Sequence, residues 1–144
     1  MLASGVLVPA LRCADLDQAL HALLAPPLTR AGFSDAGVSG VLDAVKQRER
    51  AGATAIGPVA LPHARVPGLD RIVAGLGANP EGIFDGKSET SFVLAFASPA
   101  QSAADHLRFL ARAAQLFRDE DARAHLLHAT DRESMLAAIR KAER

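Results

Sequence analysis

Two short segments of the chain are almost entirely apolar, and they constrain the fold more than any other feature. They run from Ile72 to Leu76 and from Phe92 to Ala97. Runs this short and this apolar are typical of β-strands buried on both faces of a sheet. Helical patterns precede, separate and follow the extended segments. The sequence therefore predicts the α/β class, with helices covering a small sheet.

The first third of the chain predicts one strand and two helices. A strand is expected from Val6 to Leu11. Leucines then recur at helical spacing until Pro26-Pro27, where we expect the first helix to end, since proline breaks the helical hydrogen-bond ladder. The second helix is expected to begin after Ser34, a good N-cap, and to stop at Gly52.

The middle of the chain predicts extended structure. Small and β-branched residues from Ala53 to Leu61 indicate two short extended pieces, separated by Gly57-Pro58 and followed by Pro62-His63. Loops are expected at residues 79–82 and 85–86. With no repeat or linker, residues 1–144 are expected to form one domain with a small mixed sheet of about four or five strands sandwiched between helices.

The last third is predicted to be helical. Ser102 and Asp105 form a capping-box pattern before a long apolar periodicity. A shorter helix is expected from Asp121 to His128. Thr130 with Glu133 is the expected cap of a final helix.

Charge and aromatic content argue against a nucleic-acid partner. Lys plus Arg and Asp plus Glu both number 16, so the formal net charge is zero. Proteins that follow a phosphate backbone usually carry a basic excess. The six aromatic residues are all phenylalanine, and they offer few platforms for stacking bases.

The other bulk features point to the cytoplasm. One cysteine, Cys13, permits no intramolecular disulfide and is expected to be a small buried side chain. The N-terminus carries no positive charge before its apolar stretch, so it is a poor signal peptide. No apolar run approaches the roughly 20 residues that span a bilayer. Direct membrane insertion is therefore not expected.

Among the five histidines, His63 has the most suggestive setting. It follows an expected strand and a proline and leads into an expected loop, where functional side chains of α/β domains concentrate. Its alternative interpretation is an ordinary loop histidine. His21 lies in the first helix, and the pair His125 and His128 is a weak metal signal because zinc takes three or four ligands. No P-loop, GxSxG elbow or paired zinc motif is present, and neither a cofactor nor a metal is expected.

The sequence around His63 resembles a known family. An arginine and a Gly-Ala-Thr-Ala-Ile-Gly run lead into Leu-Pro-His, and the later strand is followed by a second histidine. This order resembles the type 2 enzyme IIA domains of the bacterial phosphotransferase system, of the fructose, mannitol and nitrogen-regulatory kind. The resemblance covers about Val6 to Arg140, and Val66 to Arg71 resembles the nitrogen-regulatory branch most.

The resemblance implies a phosphoryl relay. A phosphohistidine protein similar to HPr would donate to His63, and the group would pass to an enzyme IIB partner or remain as a regulatory mark. Histidine suits this role because a neutral imidazole nitrogen is a nucleophile. The transferring phosphoryl group carries spread negative charge and is stabilised by fixed cationic donors.

Arg48 and His106 are the expected supports of that phosphoryl group. Arg48 continues the apolar stripe of its helix, whereas Arg50 points elsewhere. The alternative for Arg48 is a helix-end arginine that satisfies terminal carbonyls. His106 lies near a helix N-terminus, which favours anions, and its alternative is a histidine capping its own helix. Arg65 is a secondary candidate that could equally meet a partner protein.

Three uses of such a domain remain open at this point. It can be a regulator, it can serve sugar uptake through an enzyme IIB, or it can be a binding module that has lost phosphotransfer. The regulatory branch is favoured by the segment after His63. The binding module is suggested by Ala64, which stands where a glycine is frequent in the family, and by compressed loops.

Overall fold

The computed structural model describes residues 5–84 and 90–143. In these residues one mixed sheet is flanked by helices, as the α/β prediction requires. Six strands pair in the order β1-β5-β6-β3-β2, and β4 pairs with β6 beside β3. The elements in chain order are β1 (Val6–Pro9), α1 (Leu16–Arg30), α2 (Asp35–Ala51), β2 (Ala55–Ile56), β3 (Val59–Ala60), β4 (His63–Val66), β5 (Val73–Ala78), β6 (Phe92–Pro99), α3 (Ala103–Arg118), α4 (Glu120–Leu127) and α5 (Arg132–Ala142). The strand count exceeds the expected four or five because the segment around Pro62 is divided into short strands.

The two apolar segments are the central strands of the sheet, as predicted. β5 and β6 pair antiparallel, and every residue of both strands is buried. Alternate side chains of β6 enter different cores. Phe92, Leu94 and Phe96 pack with α3, α4 and α5, whereas Val93, Ala95 and Ala97 pack with α1 and α2. A strand covered on both faces has no polar side, which explains the continuous apolar runs.

Helix α1 does not end at its proline pair, and that expectation was wrong. Both prolines lie inside the helix, which continues to Arg30. Pro27 leaves the Leu23 carbonyl without its helical donor. Packing outweighs this loss, because Leu28 beyond the prolines is fully buried in the core. Tertiary burial therefore overrides the local helix-stop signal.

Gly75 in β5 has no side chain, and this lets α1 approach the sheet closely. A Cβ at this position would lie 2.2 Å from the Leu23 carbonyl oxygen. At Gly77, on the same face of the same strand, the nearest atom would be Leu11 Cδ2 at 2.3 Å, the end of a flexible side chain. Only the first clash is with backbone, which cannot rotate away.

We therefore expect Gly75→Ala to destabilise the fold much more than Gly77→Ala. Overpacking against α1 should lower the free energy of unfolding by about 2 kcal/mol or somewhat more, and Gly77→Ala by less than about 1 kcal/mol. Urea denaturation of both variants measures the difference. Equal losses would show that α1 shifts freely over β5.

The predicted helix caps are partly confirmed. Ser34 Oγ accepts the Gly37 N–H at 3.1 Å, and Ser102 Oγ accepts the Asp105 N–H at 3.4 Å. The expected cap of the last helix, Thr130, was wrong. Asp131 is the N-cap, and its Oδ1 accepts the Ser134 N–H at 2.8 Å. A carboxylate also interacts favourably with the positive end of the helix dipole.

The extended middle segment is confirmed and leads directly to His63. β2 and β3 form a hairpin across Gly57-Pro58, with Gly57 at φ +56°, a value that glycine adopts without strain. β3 and β4 both pair parallel with β6, and they do so in the same register. The two strands therefore form one extended segment that is interrupted at Leu61-Pro62. Residues 79–82 form a turn, as expected, whereas the expected loop at 85–86 lies outside the described residues.

Within the described ranges, no helix is both long enough and apolar enough to cross a membrane.

Candidate active site

Helices α2 and α3 and strand β4 meet at a cleft, and among the described residues β4 pairs only with β6. The cleft has a volume of about 430 Å³. Its lining side chains come from α2, β4 and α3, and they are Ala44, Arg48, His63, Ala64, Arg65 and His106. The structure thus brings together all three residues expected to carry the chemistry. These lining residues include two arginines and two histidines but no carboxylate, so the cleft is suited to an anion.

His63 is the first residue of β4, so the expectation of a histidine in a loop after a strand was wrong. β4 continues through Val66 before the turn at Pro67-Gly68. His63 pairs in register with Phe96, and the two rings stack at a centroid distance of 4.7 Å with 4° between their planes. The ring is buried, with 7% of the residue exposed. Strand pairing and stacking hold this imidazole more rigidly than a loop would.

The contact made by Nδ1 defines the tautomer of His63. Nδ1 lies 2.7 Å from the backbone oxygen of Leu61. Because a carbonyl oxygen can only accept, the proton must be on Nδ1. Nε2 then has the free lone pair and is the nucleophilic nitrogen of the neutral ring. The interruption at Leu61-Pro62 permits this contact between residues two apart.

His106 lies in the first turn of α3, next to His63. The two ring centroids are 5.3 Å apart, with 47° between the planes. Its Nδ1 lies 2.6 Å from Ser98 Oγ. Burial lowers the pKa of His106, and the nearby His63 and Arg65 lower it further. The neutral form of the His106 ring is therefore favoured more strongly than in an ordinary histidine.

Arg48 lines the cleft from the last turn of α2. The side chain is exposed, and Nη1 donates to the Gly52 carbonyl at 3.0 Å. This bond is the one anticipated by the alternative interpretation, a helix-end arginine that satisfies a terminal carbonyl. A guanidinium has five N–H donors, so one bond to Gly52 leaves others for a ligand in the cleft. Arg50 is exposed and does not line the cleft.

The side chain of Arg65 is fixed by a hydrogen bond to the residue that follows β6. It stands opposite Ser98 in the β4–β6 register, and its Nη2 donates to the Ala100 carbonyl at 2.7 Å. Its charge contributes to the lowered pKa of His106. Arg65 therefore adds positive potential to the cleft from a defined position.

Sequence reasoning missed Ser98. This serine is completely buried and lies in β6 among apolar residues. The feature that could have identified it is a single hydroxyl near the end of an otherwise apolar strand, because buried polar groups usually have a specific hydrogen-bond partner. Its partner, His106, could not be named without the tertiary structure.

The other histidines lie apart from this cleft. His21 is 3.9 Å from Asp17 on α1. His125 and His128 line a larger cleft of about 690 Å³ formed largely by α4 and α5, and His125 Nδ1 is 2.7 Å from the Asp121 carbonyl. Among the described residues, no group of three or more His, Cys, Asp or Glu could hold a metal ion. Size alone favours the larger cleft, but its lining combines one cation, Lys141, with the carboxylates of Asp119 and Asp121, so it is less suited to an anion than the cleft around His63.

Ala64 fits its position without strain. It is buried in β4, and Ala10 is the single non-glycine residue with positive φ in the described part of the chain. Glycine's freedom is therefore not needed at this position.

Comparison with known proteins agrees with the fold. Residues 5–142 match the family described as phosphoenolpyruvate-dependent sugar phosphotransferase system, EIIA 2. A nitrogen regulatory protein of Bradyrhizobium diazoefficiens is 33% identical, over 96% of this chain and 92% of its own length.

Two solved structures show the same fold. The nitrogen regulatory protein IIA-Ntr of Neisseria meningitidis has a TM-score of 0.74 at 20% identity, over 95% of this chain and 94% of its own. Enzyme IIA mannitol of Escherichia coli, solved in complex with phosphorylated enzyme IIB mannitol, has a TM-score of 0.72 at 16% identity, over 98% of each chain. Because the family match spans most of the chain and is joined by a relative of 33% identity, the chain belongs to the EIIA type 2 family of the phosphoenolpyruvate-dependent sugar phosphotransferase system.

Proposed function

We propose that the chain is a cytoplasmic phosphocarrier that accepts a phosphoryl group on His63 Nε2 from a phosphohistidine protein similar to HPr. The observation that carries this proposal is the His63 tautomer. The Leu61 carbonyl holds the proton on Nδ1, 2.7 Å away, and so leaves the lone pair on Nε2. The ring lines a cleft with two arginines and no carboxylate.

The transfer exchanges one nitrogen–phosphorus bond for another. His63 Nε2 attacks the phosphorus, the bond to the donor's histidine nitrogen breaks, and its electron pair remains with the donor. Nδ1 keeps its proton and its bond to Leu61. Charge on the transferring group is spread over its oxygens, and nearby fixed donors stabilise it without reorganisation. Arg48 and His106 are the donors we assign to this task.

A regulatory role is favoured over sugar uptake. The relative of 33% identity is named a nitrogen regulatory protein, and the segment after His63 resembles the same branch. Onward transfer to an enzyme IIB is the second candidate, favoured by the fold shared with enzyme IIA mannitol in its complex. The unstrained backbone at Ala64 argues against the third alternative, a binding module without phosphotransfer.

The test of the proposal is phosphoryl uptake by the intact protein. After incubation with a phosphorylated HPr-type donor, mass spectrometry should show one added phosphoryl group. The label should be lost in acid and persist in alkali, as for a phosphoramidate. Absence of uptake from several such donors would favour the binding module. Subsequent addition of enzyme IIB proteins separates a transport component, which discharges, from a regulator, which stays labelled.

His106 is expected to support the phosphoryl group without carrying it. His106→Ala should slow uptake about thirtyfold, the loss expected from one hydrogen bond to a charged group. His106→Gln, which retains a side-chain N–H donor, should recover most of the rate. Both variants should be labelled on His63, which tandem mass spectrometry can locate. Equal rates in wild type and both variants would make His106 a structural residue.

A further inference from the structure

The buried hydroxyl of Ser98 is a polar group that the proposed transfer does not use. Ser98 is fully buried in β6, and its Oγ lies 2.6 Å from His106 Nδ1. In the described part of the chain, this nitrogen is the hydroxyl's one hydrogen-bond partner. Burial also keeps water from the hydroxyl.

The direction of this hydrogen bond follows from hydrogen-bond satisfaction. If His106 Nδ1–H donated to Ser98, the hydroxyl hydrogen would be buried without an acceptor, which is destabilising. If Ser98 donates to Nδ1, both groups are satisfied. The second arrangement puts the ring proton of His106 on Nε2. Burial within the cleft favours the neutral ring in which this distinction exists.

The two cleft histidines are therefore held in opposite tautomers. Nδ1 of His63 donates to a carbonyl, so its Nε2 has a lone pair. Nδ1 of His106 accepts from a hydroxyl, so its Nε2 carries a hydrogen. The rings are 5.3 Å apart at their centroids, close enough to act on one phosphoryl group. One ring can attack phosphorus, and the other can donate a hydrogen bond to its oxygens.

We infer that Ser98 is a positioning residue that makes His106 a hydrogen-bond donor and thereby leaves His63 as the sole nucleophile of the pair. The effect on phosphoryl transfer rests on the proposed phosphorylation of His63, whereas the assignment of the two tautomers does not depend on it. Ser98 never touches the phosphoryl group and acts only through the His106 ring.

The tautomers can be measured in the resting protein without a donor. Nitrogen-15 NMR of the imidazole rings above pH 7 should show a protonated Nδ1 on His63 and a protonated Nε2 on His106. Ser98→Ala, which removes only an oxygen atom, should shift the His106 ring-nitrogen resonances and leave those of His63 in place. Ser102→Ala is the matched control, because it removes the hydroxyl that caps α3 and keeps the backbone carbonyl through which Ser102 contacts His106. A protonated Nδ1 on His106 in the wild type would overturn the inference.

A double-mutant cycle tests the consequence for transfer. Ser98→Ala should slow phosphoryl uptake about tenfold in the wild type, equivalent to about 1.4 kcal/mol. In a His106→Ala background it should have almost no further effect, because its route of action is gone. An equal slowing in both backgrounds would mean that Ser98 is merely structural and would refute the inference. Correct tautomers without any phosphoryl uptake would instead reject the proposed function.

Discussion

Replacing His63 by glutamine is expected to abolish phosphoryl uptake. The amide has no nucleophilic nitrogen with a free lone pair, so the nitrogen–phosphorus bond cannot form. Glutamine is preferred to alanine because His63 is buried against Phe96, and a smaller side chain would leave a cavity. The measurement is the mass of the protein after incubation with a phosphorylated HPr-type donor, with circular dichroism to confirm the fold. No added mass is expected.

His125 provides a matched control for this experiment. Its Nδ1 also lies 2.7 Å from a backbone carbonyl, that of Asp121, so its Nε2 is also free. It is exposed and lies outside the cleft that contains Arg48 and Arg65. His125→Gln should therefore take up phosphate as the wild type does. Label remaining in His63→Gln, on His106 or on His125, would show that the nucleophile has been misassigned.

Arg48→Ala is expected to slow phosphoryl uptake about a hundredfold while the protein stays folded. Losing one fixed cationic donor typically removes about 3 kcal/mol of transition-state stabilisation. The guanidinium lines the cleft with His63 and has donors beyond the one directed at Gly52. Single-turnover transfer from the phosphorylated donor measures the rate. Arg48→Lys should be intermediate, since it restores the charge but not the planar fork.

Arg50→Ala is the control for Arg48, because it removes a cation from the same exposed helix end but from outside the cleft. It should leave the transfer rate nearly unchanged. Thermal unfolding of both variants separates the two roles of Arg48, since loss of its bond to Gly52 should lower stability by at most about 1 kcal/mol. A small loss of stability with an unchanged rate would make Arg48 only a helix-end residue. A larger rate effect from Arg50 would contradict the helix-face argument.

Local features of the chain were well predicted from sequence because their causes are local. Ser34 and Ser102 cap helices because a hydroxyl needs only a backbone N–H three residues away. Phe92 to Ala97 was predicted to be a buried strand because short, wholly apolar runs are restricted to sheets covered on both faces. His63 was singled out because it ends the contiguous motif Leu-Pro-His. The proline of this motif, Pro62, lies between β3 and β4.

The errors occurred where distant segments compete with local preference. Pro26-Pro27 was expected to end α1, but Leu28 beyond them is fully buried and holds the helix against the sheet. His63 was expected in a loop, but pairing with Phe96 makes it part of a strand. In both cases the stabilising partner is far away in the chain, and no local pattern contains it.

The sequence by itself determined the α/β class, the Ser34 and Ser102 helix caps and the identity of the candidate nucleophile, because each depends on periodicity, short-range hydrogen bonds or a contiguous motif. Only the tertiary structure decided the chemical state of that nucleophile. The proton of His63 is placed by the Leu61 carbonyl, and that of His106 by Ser98. A tautomer depends on a hydrogen-bond partner within 3 Å, and the parallel pairing of β4 with β6 brings both rings and their partners to one sheet edge.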